Sequence, residues 1–280
     1  MLERIGEAIE RATNERAWAY LLREGCALYA SAPANFAAYD SPVVRLVRGI
    51  HETYPEQARA IVRARIFTNT ELGASCRGIV KVSAKRASTL PSAHEGAQWS
   101  GAIDRVLEPA LDGFELHEGS ERISTAVARA RAAALAISVP RSAGARWENS
   151  RPVGAVLISA DGRLLASARN TNVRNCTLHA EANLIRGWKG PLPPGSIVCT
   201  SLKPCRMCAG LIWDASTDRA RVLVEYLEDD VGRSAQGTVL DLGSEERRRF
   251  SRGTAELSAV CQSHHPGLAS SLMFRASSGS

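Results

Sequence analysis

The second half of the chain alternates short apolar runs with longer helical patterns. An alanine-rich stretch, 124–137, has apolar residues at helical spacing and predicts a helix. The apolar run 153–159 leads through Asp161-Gly162 into a second apolar run, 164–168, which predicts a two-strand hairpin. The pattern beyond it predicts a helix from 178, a strand at 197–200, a helix from 205 and a strand at 221–226. This order of elements is typical of a layered α/β sandwich.

The first half has a different pattern. Residues 3–22 and 56–66 are predicted to be helical, 79–82 is predicted to be a short strand, and 84–101, rich in Ser, Ala and Gly, is predicted to be a loop. No internal repeat is visible along the sequence. We therefore predict an N-terminal α+β domain, 1–115, whose role as a substrate-gripping module, a dimerisation domain or an inhibitory cap is left open. The α/β domain would span 116–280.

The end of the α/β domain allows two arrangements. If 256–261 forms the last strand, the preceding segment is long enough for a crossover and a parallel pairing. If 239–242 forms it instead, the connection is short and the pairing is antiparallel. The pattern favours the parallel arrangement.

Composition describes an ordinary globular protein. The 280 residues are 45% hydrophobic and 23% charged. No apolar run approaches 18 residues, so no membrane span is expected, and the first ten residues form an acidic amphipathic pattern unlike a signal peptide. Seven cysteines, an odd number, indicate reduced thiols and a cytoplasmic location.

Charge is unevenly distributed. Residues 1–115 are electrically balanced, so the whole excess of +6 belongs to residues 116–280. A basic α/β domain suits a phosphorylated or polymeric substrate. An arginine-rich solvated surface would give the same excess.

Two short motifs carry the candidate chemistry. His179-Ala180-Glu181 and Pro204-Cys205-Arg206-Met207-Cys208 together supply one imidazole, one carboxylate and two thiols. Thiols three residues apart share one face of a helix, and a proline suits the first helical position. Unpaired N–H groups in that first turn favour thiolates. Three ligands would leave the fourth position of a tetrahedral zinc ion open, as catalytic sites require.

A closed structural zinc site is the alternative, and it needs a fourth ligand. Cys176 and Cys199 are the candidates by position. Cys199 lies within an apolar run, so we expect it to be a buried strand residue. The open site is the better interpretation.

The two motifs resemble the signature of the zinc-dependent cytidine/deoxycytidylate deaminase superfamily. Residues 200–210 are most similar to the tRNA adenosine and guanine deaminase branches, and the likeness extends over about 118–230. The resemblance implies a cytidine-deaminase-like three-layer α/β/α sandwich with a mixed sheet. It also implies Zn²⁺ bound by His179, Cys205 and Cys208, with Glu181 as the proton carrier. Lys203 departs from the Glu usual in tRNA adenosine deaminases.

The resemblance further implies residues that contact the substrate: Asn170, Ala180 and Trp213. A turn asparagine and a core tryptophan are the competing interpretations. The predicted function is hydrolytic deamination of cytosine or adenine within DNA or RNA. Deamination of free nucleosides, nucleotides or bases is the alternative. A non-catalytic zinc-stabilised binding or toxin-related module is a third, disfavoured because it has no need of Glu181. A homodimer is left open.

Overall fold

The computed structural model describes residues 2–90, 99–138, 151–172 and 175–241, which form two five-stranded sheets with helices packed on both. The N-terminal unit comprises α1 Leu2–Thr13, β1 Ala17–Arg23, β2 Cys26–Ala32, α2 Pro42–Thr53, α3 Ala58–Ile61, β3 Arg65–Thr68, α4 Ala74–Ser83, β4 Arg86–Thr89 and β5 Ala102–Arg105. The C-terminal unit comprises β6 Phe114–Leu116, α5 Thr125–Ile137, β7 Gly154–Ile158, β8 Leu164–Arg169, α6 Ala180–Trp188, β9 Ile197–Leu202, α7 Arg206–Ala215 and β10 Leu223–Glu228. No helix in the described ranges has the length and apolar character to cross a membrane.

The N-terminal sheet has the strand order β4-β3-β1-β2-β5. The predicted helix over 3–22 is wrong beyond Thr13, because Asn14 leaves the helix with φ 58° and β1 follows. Glu24 and Gly25 have φ values of 49° and 79°, so they form a tight two-residue turn that pairs β1 with β2. Pairing across this turn, together with the pairing of β1 with the distant strand β3, overrides the helical pattern.

Three other N-terminal expectations are corrected by the structure. The predicted strand at 79–82 lies inside α4, which packs against α7. The predicted helix over 56–66 is a helix only in α3, and its end belongs to β3. The predicted loop contains β4, which pairs parallel with β3. The separate α+β domain is confirmed by its own sheet. The domain boundary remains a prediction, and β6 lies across it.

The C-terminal sheet has the strand order β10-β9-β7-β8-β6. β9 and β10 are parallel, whereas β7 pairs antiparallel with both β8 and β9, so the sheet is mixed. Helix α5 packs on one face, and α6 lies with α7 on the other. The three-layer α/β/α sandwich is therefore confirmed. The predicted helix over 124–137 and the predicted hairpin match α5, β7 and β8 to within one or two residues.

The end of the C-terminal unit excludes one of the two arrangements. Residues Val239–Asp241 form a 3₁₀ helix, and the Asp241 carboxylate accepts a hydrogen bond of 2.8 Å from the backbone N–H of Thr238. The alternative of an antiparallel strand at 239–242 is therefore wrong, because residues 239–241 follow a 3₁₀ helix in place of an extended strand. The segment 256–261 lies outside the described residues.

Helices of the two units share one hydrophobic core. It runs from α2 and α4 of the N-terminal unit to α6 and α7 of the C-terminal unit. Where α4 crosses α7, a Cβ atom on Gly78 would overlap the carbonyl oxygen of Arg206, and one on Gly210 would overlap that of Ala74. The two backbones approach this closely because both positions lack a side chain.

Candidate active site

The metal-ligand candidates lie at the starts of two neighbouring helices. His179 is the N-cap residue of α6, Cys205 is the N-cap residue of α7, and Cys208 lies in the first turn of α7. Strands β8 and β9 both pair antiparallel with β7, so they run in the same direction. Their carboxyl ends therefore meet at one edge of the sheet, which brings the two helix starts together.

The three side chains converge on one point. His179 Nδ1 lies 3.6 Å from Cys205 Sγ and 3.5 Å from Cys208 Sγ, and the ligand atoms lie within 4.8 Å of one another. Both sulfurs are buried, whereas His179 is half-buried. Within the described ranges, this is the one group of three or more His, Cys, Asp or Glu side chains that could hold a metal ion. One nitrogen and two sulfurs suit zinc.

The pKa values of the two thiols are shifted in opposite directions. A hydrogen bond with Cys208 lowers the pKa of Cys205 well below its ordinary value, and nearby His179 lowers it further. Burial raises the pKa of Cys208 well above its ordinary value. Zinc binds both sulfurs as thiolates, so zinc binding would displace any proton that they carry.

Glu181 lies in the first turn of α6, beside this group. Its side chain is 3% exposed, and Oε2 has no hydrogen-bond partner in the described part of the chain. Burial raises the pKa of Glu181 to about 7, although His179 pulls it down. Buried carboxylate oxygens are normally paired, so an unpaired one next to three metal-ligand candidates indicates a functional group.

A cavity of about 730 Å³ opens beside His179, Glu181 and Cys205. Its wall includes two basic side chains, and each forms an ion pair with an aspartate. Arg151 is ion-paired with Asp230, and Lys203 Nζ lies 3.3 Å from a carboxylate oxygen of Asp241. The cavity is thus close to neutral in charge around a buried carboxylate.

Asn170 also lines this cavity, as the sequence predicted for a residue near the substrate. Its Oδ1 accepts a hydrogen bond of 2.9 Å from the backbone N–H of Val153. Its Nδ2 donates to the carbonyl oxygen of Arg151 and to Asn172 Oδ1, both at 3.0 Å. Asn170 therefore holds residues of the cavity wall together through hydrogen bonds. Its contact with a substrate remains a prediction.

The other two residues predicted to contact substrate are not among those that line this cavity. Ala180 is fully buried at the start of α6, between His179 and Glu181. Trp213 is 1% exposed and lines a different cavity, together with Phe36. The structure therefore groups Asn170 with the metal-ligand candidates and places Trp213 away from them, since it lies on the side of α7 that faces the N-terminal unit.

Neither cysteine considered as a fourth ligand belongs to the metal-ligand group. Cys199 is fully buried in β9, on the face covered by α5, which confirms the expected strand residue. Cys176 Sγ lies 3.5 Å from His51 Nε2, and burial raises the pKa of this thiol to about 11.

The contact between the N-terminal unit and the segment before His179 was not predicted from the sequence. Asn175 Nδ2 donates to the carbonyl oxygen of Arg48 at 3.1 Å and to Glu52 Oε2 at 3.3 Å, both on α2. Asn175 Oδ1 accepts from the backbone N–H of Thr177 at 3.2 Å, which forms a local turn. The Asn-x-Thr sequence indicates that turn, but nothing local reveals its contact with α2.

Comparison with known proteins identifies the family. Residues 144–251 match the profile described as Bd3614-like deaminase, and residues 23–91 match the profile described as Bd3614-like deaminase N-terminal. The tRNA-specific adenosine deaminase of Agrobacterium fabrum is 37% identical over 111 residues, which cover 38% of this chain and 69% of the relative. The chain belongs to the cytidine deaminase-like superfamily. The resemblance inferred from the two motifs is confirmed.

Other relatives of this deaminase are matched over smaller parts. The tRNA(Ile)-lysidine synthases of Deinococcus deserti and Deinococcus radiodurans are 32% and 30% identical over 53% and 46% of this chain. The chain spans only 26% and 22% of their lengths. A solved structure from a study of A-to-I editing by tRNA:A34 deaminases at the wobble position is 29% identical, covering 53% of this chain and 92% of that one, with a TM-score of 0.31.

Proposed function

We propose that this deaminase uses zinc and water to remove the exocyclic amine of adenine or cytosine within a nucleic acid. The observation that carries the proposal is the unpaired, buried Oε2 of Glu181 beside the His179, Cys205 and Cys208 group, on the wall of a cavity. Hydrolytic deamination requires a carboxylate that moves protons and is not itself a metal ligand.

The three side chains fit a zinc ion. Imidazole nitrogen and thiolate sulfur are the ligands that zinc prefers, and the three residues that carry them lie at the starts of α6 and α7. When bound there, zinc would supply a Lewis acid that makes water acidic enough to react at neutral pH.

Glu181 would move the protons of the reaction. Its Oε2 would accept a proton from the attacking water and deliver it to the ring nitrogen beside the reacting carbon. The remaining water proton would pass through the same oxygen to the departing amine. The exocyclic C–N bond breaks as a C–O bond forms, so the base amidine and water become a carbonyl and ammonia.

Adenine in RNA is the first substrate to test. The A. fabrum relative is a tRNA-specific adenosine deaminase, and its similarity supports a nucleic acid and a purine. The charge of the cavity wall is largely neutralised by ion pairs, so it favours a neutral base at the reacting position.

The experiment measures ammonia release and base conversion by zinc-loaded wild-type chain and by Glu181→Gln. The panel contains tRNA, single-stranded DNA, adenosine, cytidine and their monophosphates. We expect conversion of adenine or cytosine in a polymer, steep loss of binding with salt, and no conversion by Glu181→Gln at unchanged zinc content. Conversion of free nucleosides at a salt-independent rate would establish the alternative function. Zinc loss in Glu181→Gln would contradict the proton-carrier role.

A further inference from the structure

Four strands and three helices of each unit share one topology, whereas the fifth strands, β5 and β6, differ in direction. In each, a helix precedes an antiparallel hairpin, a second helix follows, the third strand pairs antiparallel with the first, and a further helix leads to a strand parallel to the third. The order β4-β3-β1-β2 thus repeats as β10-β9-β7-β8. In both units the first helix packs on one face of the sheet and the other two pack on the opposite face.

The helices α4 and α7 correspond residue by residue. Both are ten residues long, and both have glycine at the fifth position, Gly78 and Gly210. The third position is a cysteine in both, Cys76 and Cys208. The metal-ligand candidate Cys208 therefore has a buried cysteine counterpart in the N-terminal unit.

The N-cap residues correspond as well. Ser41 precedes α2 with φ −64° and ψ 158°, and His179 precedes α6 with φ −70° and ψ 161°. Gly73 precedes α4 with φ −65° and ψ −177°, and Cys205 precedes α7 with φ −69° and ψ 170°. The backbone at the positions of His179 and Cys205 is therefore repeated at Ser41 and Gly73.

The counterpart side chains also meet. Ser41 Oγ lies 3.0 Å from Cys76 Sγ, just as His179 Nδ1 lies 3.5 Å from Cys208 Sγ. Ser41, Gly73 and Cys76 line a cavity of about 630 Å³, which corresponds to the cavity beside His179 and Cys205. The N-terminal unit therefore lacks two of the three metal-ligand candidates. Ser41 occupies the position of His179, and Gly73 occupies the position of Cys205.

The two units pack as the halves of a symmetric dimer do. Gly78 of α4 contacts the start of α7, and Gly210 of α7 contacts the start of α4. The fifth residue of each helix therefore makes the same contact with the other helix. Reciprocal contacts of this kind are the mark of an isologous interface between like units.

We propose that the N-terminal unit is a second deaminase fold that has lost its metal site, retains the cavity, and serves as a built-in partner of the C-terminal unit. The metal part of this inference rests on the ligands assigned under the proposed function. The chain would then contain one zinc site per molecule and need no second copy across the α4–α7 contact.

The experiment rebuilds the lost ligands. Ser41→His with Gly73→Cys, alongside the natural Cys76, restores the His-Cys-Cys set. A Cβ at Gly73 would lie 3.0 Å from the Asp214 carboxylate, which must shift by a few tenths of an ångström. The matched control is Ser41→Asn with Gly73→Ser, which adds comparable bulk without the ligand atoms. Zinc per chain is measured by elemental mass spectrometry, and Co²⁺ loading by its thiolate absorption.

We expect one zinc in the wild-type chain and in the control, and two in the rebuilt variant. Adding Cys76→Ala to the rebuilt variant should return the count to one. A folded rebuilt variant that still holds one zinc would overturn the inference. A wild-type chain without zinc would instead contradict the proposed function.

Sedimentation equilibrium of the full wild-type chain gives a second, independent test, which decides the matter if the rebuilt variant does not fold. A built-in partner predicts a monomer of 30.1 kDa at micromolar concentration. A stable homodimer at that concentration would contradict it.

Discussion

The carboxylate of Asp214, near the end of α7, accepts a hydrogen bond of 2.8 Å from the backbone N–H of Ser75, in the first turn of α4. The N-cap residue of α4 is Gly73, which has no side chain to offer that turn. An acid from the C-terminal unit therefore caps a helix of the N-terminal unit, where unpaired N–H groups and the helix dipole favour a negative charge.

Replacing Asp214 by alanine should lower the free energy of unfolding by about 1–3 kcal/mol, because a buried backbone donor loses its partner. Urea unfolding followed by circular dichroism measures the change. Asp218→Ala, at a more exposed carboxylate that pairs with Arg221, is the matched control and should change stability by less than about 0.5 kcal/mol. Equal effects at the two positions would contradict the capping role.

The metal site predicts different results for two cysteines. Cys205→Ser should lose zinc and activity, because a ligand that cannot form a thiolate replaces one that can. Cys176→Ser should keep its zinc, since that sulfur faces His51. Zinc per chain after gel filtration in the presence of a mild chelator measures both. The wild-type chain, stripped by a strong chelator, should also melt at a lower temperature and recover with added zinc. Zinc loss in Cys176→Ser would show that the site is closed.

The contact of Asn175 with α2 makes it a positioning residue for His179. Asn175→Ala removes the hydrogen bonds to Arg48 and Glu52 that hold the segment leading to His179. We expect kcat to fall about 10- to 100-fold, because small displacements at a reacting centre are costly, with zinc content and KM nearly unchanged. Steady-state kinetics alongside metal analysis measures this. A purely structural role would instead lower stability and leave kcat of the folded fraction intact.

His51 predicts a pH dependence of stability. Burial, with Arg59 nearby, lowers the pKa of His51 from 6.5 to about 4 in the folded chain. Between pH 4 and pH 6.5 the unfolded chain therefore binds more protons at this residue, so stability falls as the pH drops through that window. The separation of the two pKa values corresponds to about 3 kcal/mol.

Urea unfolding of the wild-type chain and of His51→Gln, at several pH values from 4 to 7, tests this dependence. The variant should lose less stability than the wild-type chain on acidification. Parallel curves for the two proteins would show that His51 does not contribute to the pH dependence.

Much of the C-terminal unit was predictable because its signals are local. Cys205 and Cys208 are one helical turn apart, and His179 and Glu181 lie at the start of the preceding helix, so each motif can be recognised from residues close together in the chain. The elements from α5 to β10 follow from apolar periodicity for the same reason.

The N-terminal unit was predicted less well. Residues 17–21 of β1 are all buried, so their apolar run fits a helix as well as a strand. The choice depends on pairing with the adjacent strand β2 and with β3, which lies far from β1 along the chain. The repeat of the fold also stayed hidden, because a sheet and its helices need only apolar residues at the right positions, whereas the ligand residues have changed.

The sequence by itself determined the layered class of the C-terminal unit and the residues of the proposed metal site and proton carrier. Each depends on side chains within a few residues of one another along a helix or strand. Only the tertiary structure decided that Trp213 faces the N-terminal unit, that Asn175 is held by α2, and that Ser41 and Cys76 meet as His179 and Cys208 do. Those relationships join residues far apart in the chain, and packing alone brings them together.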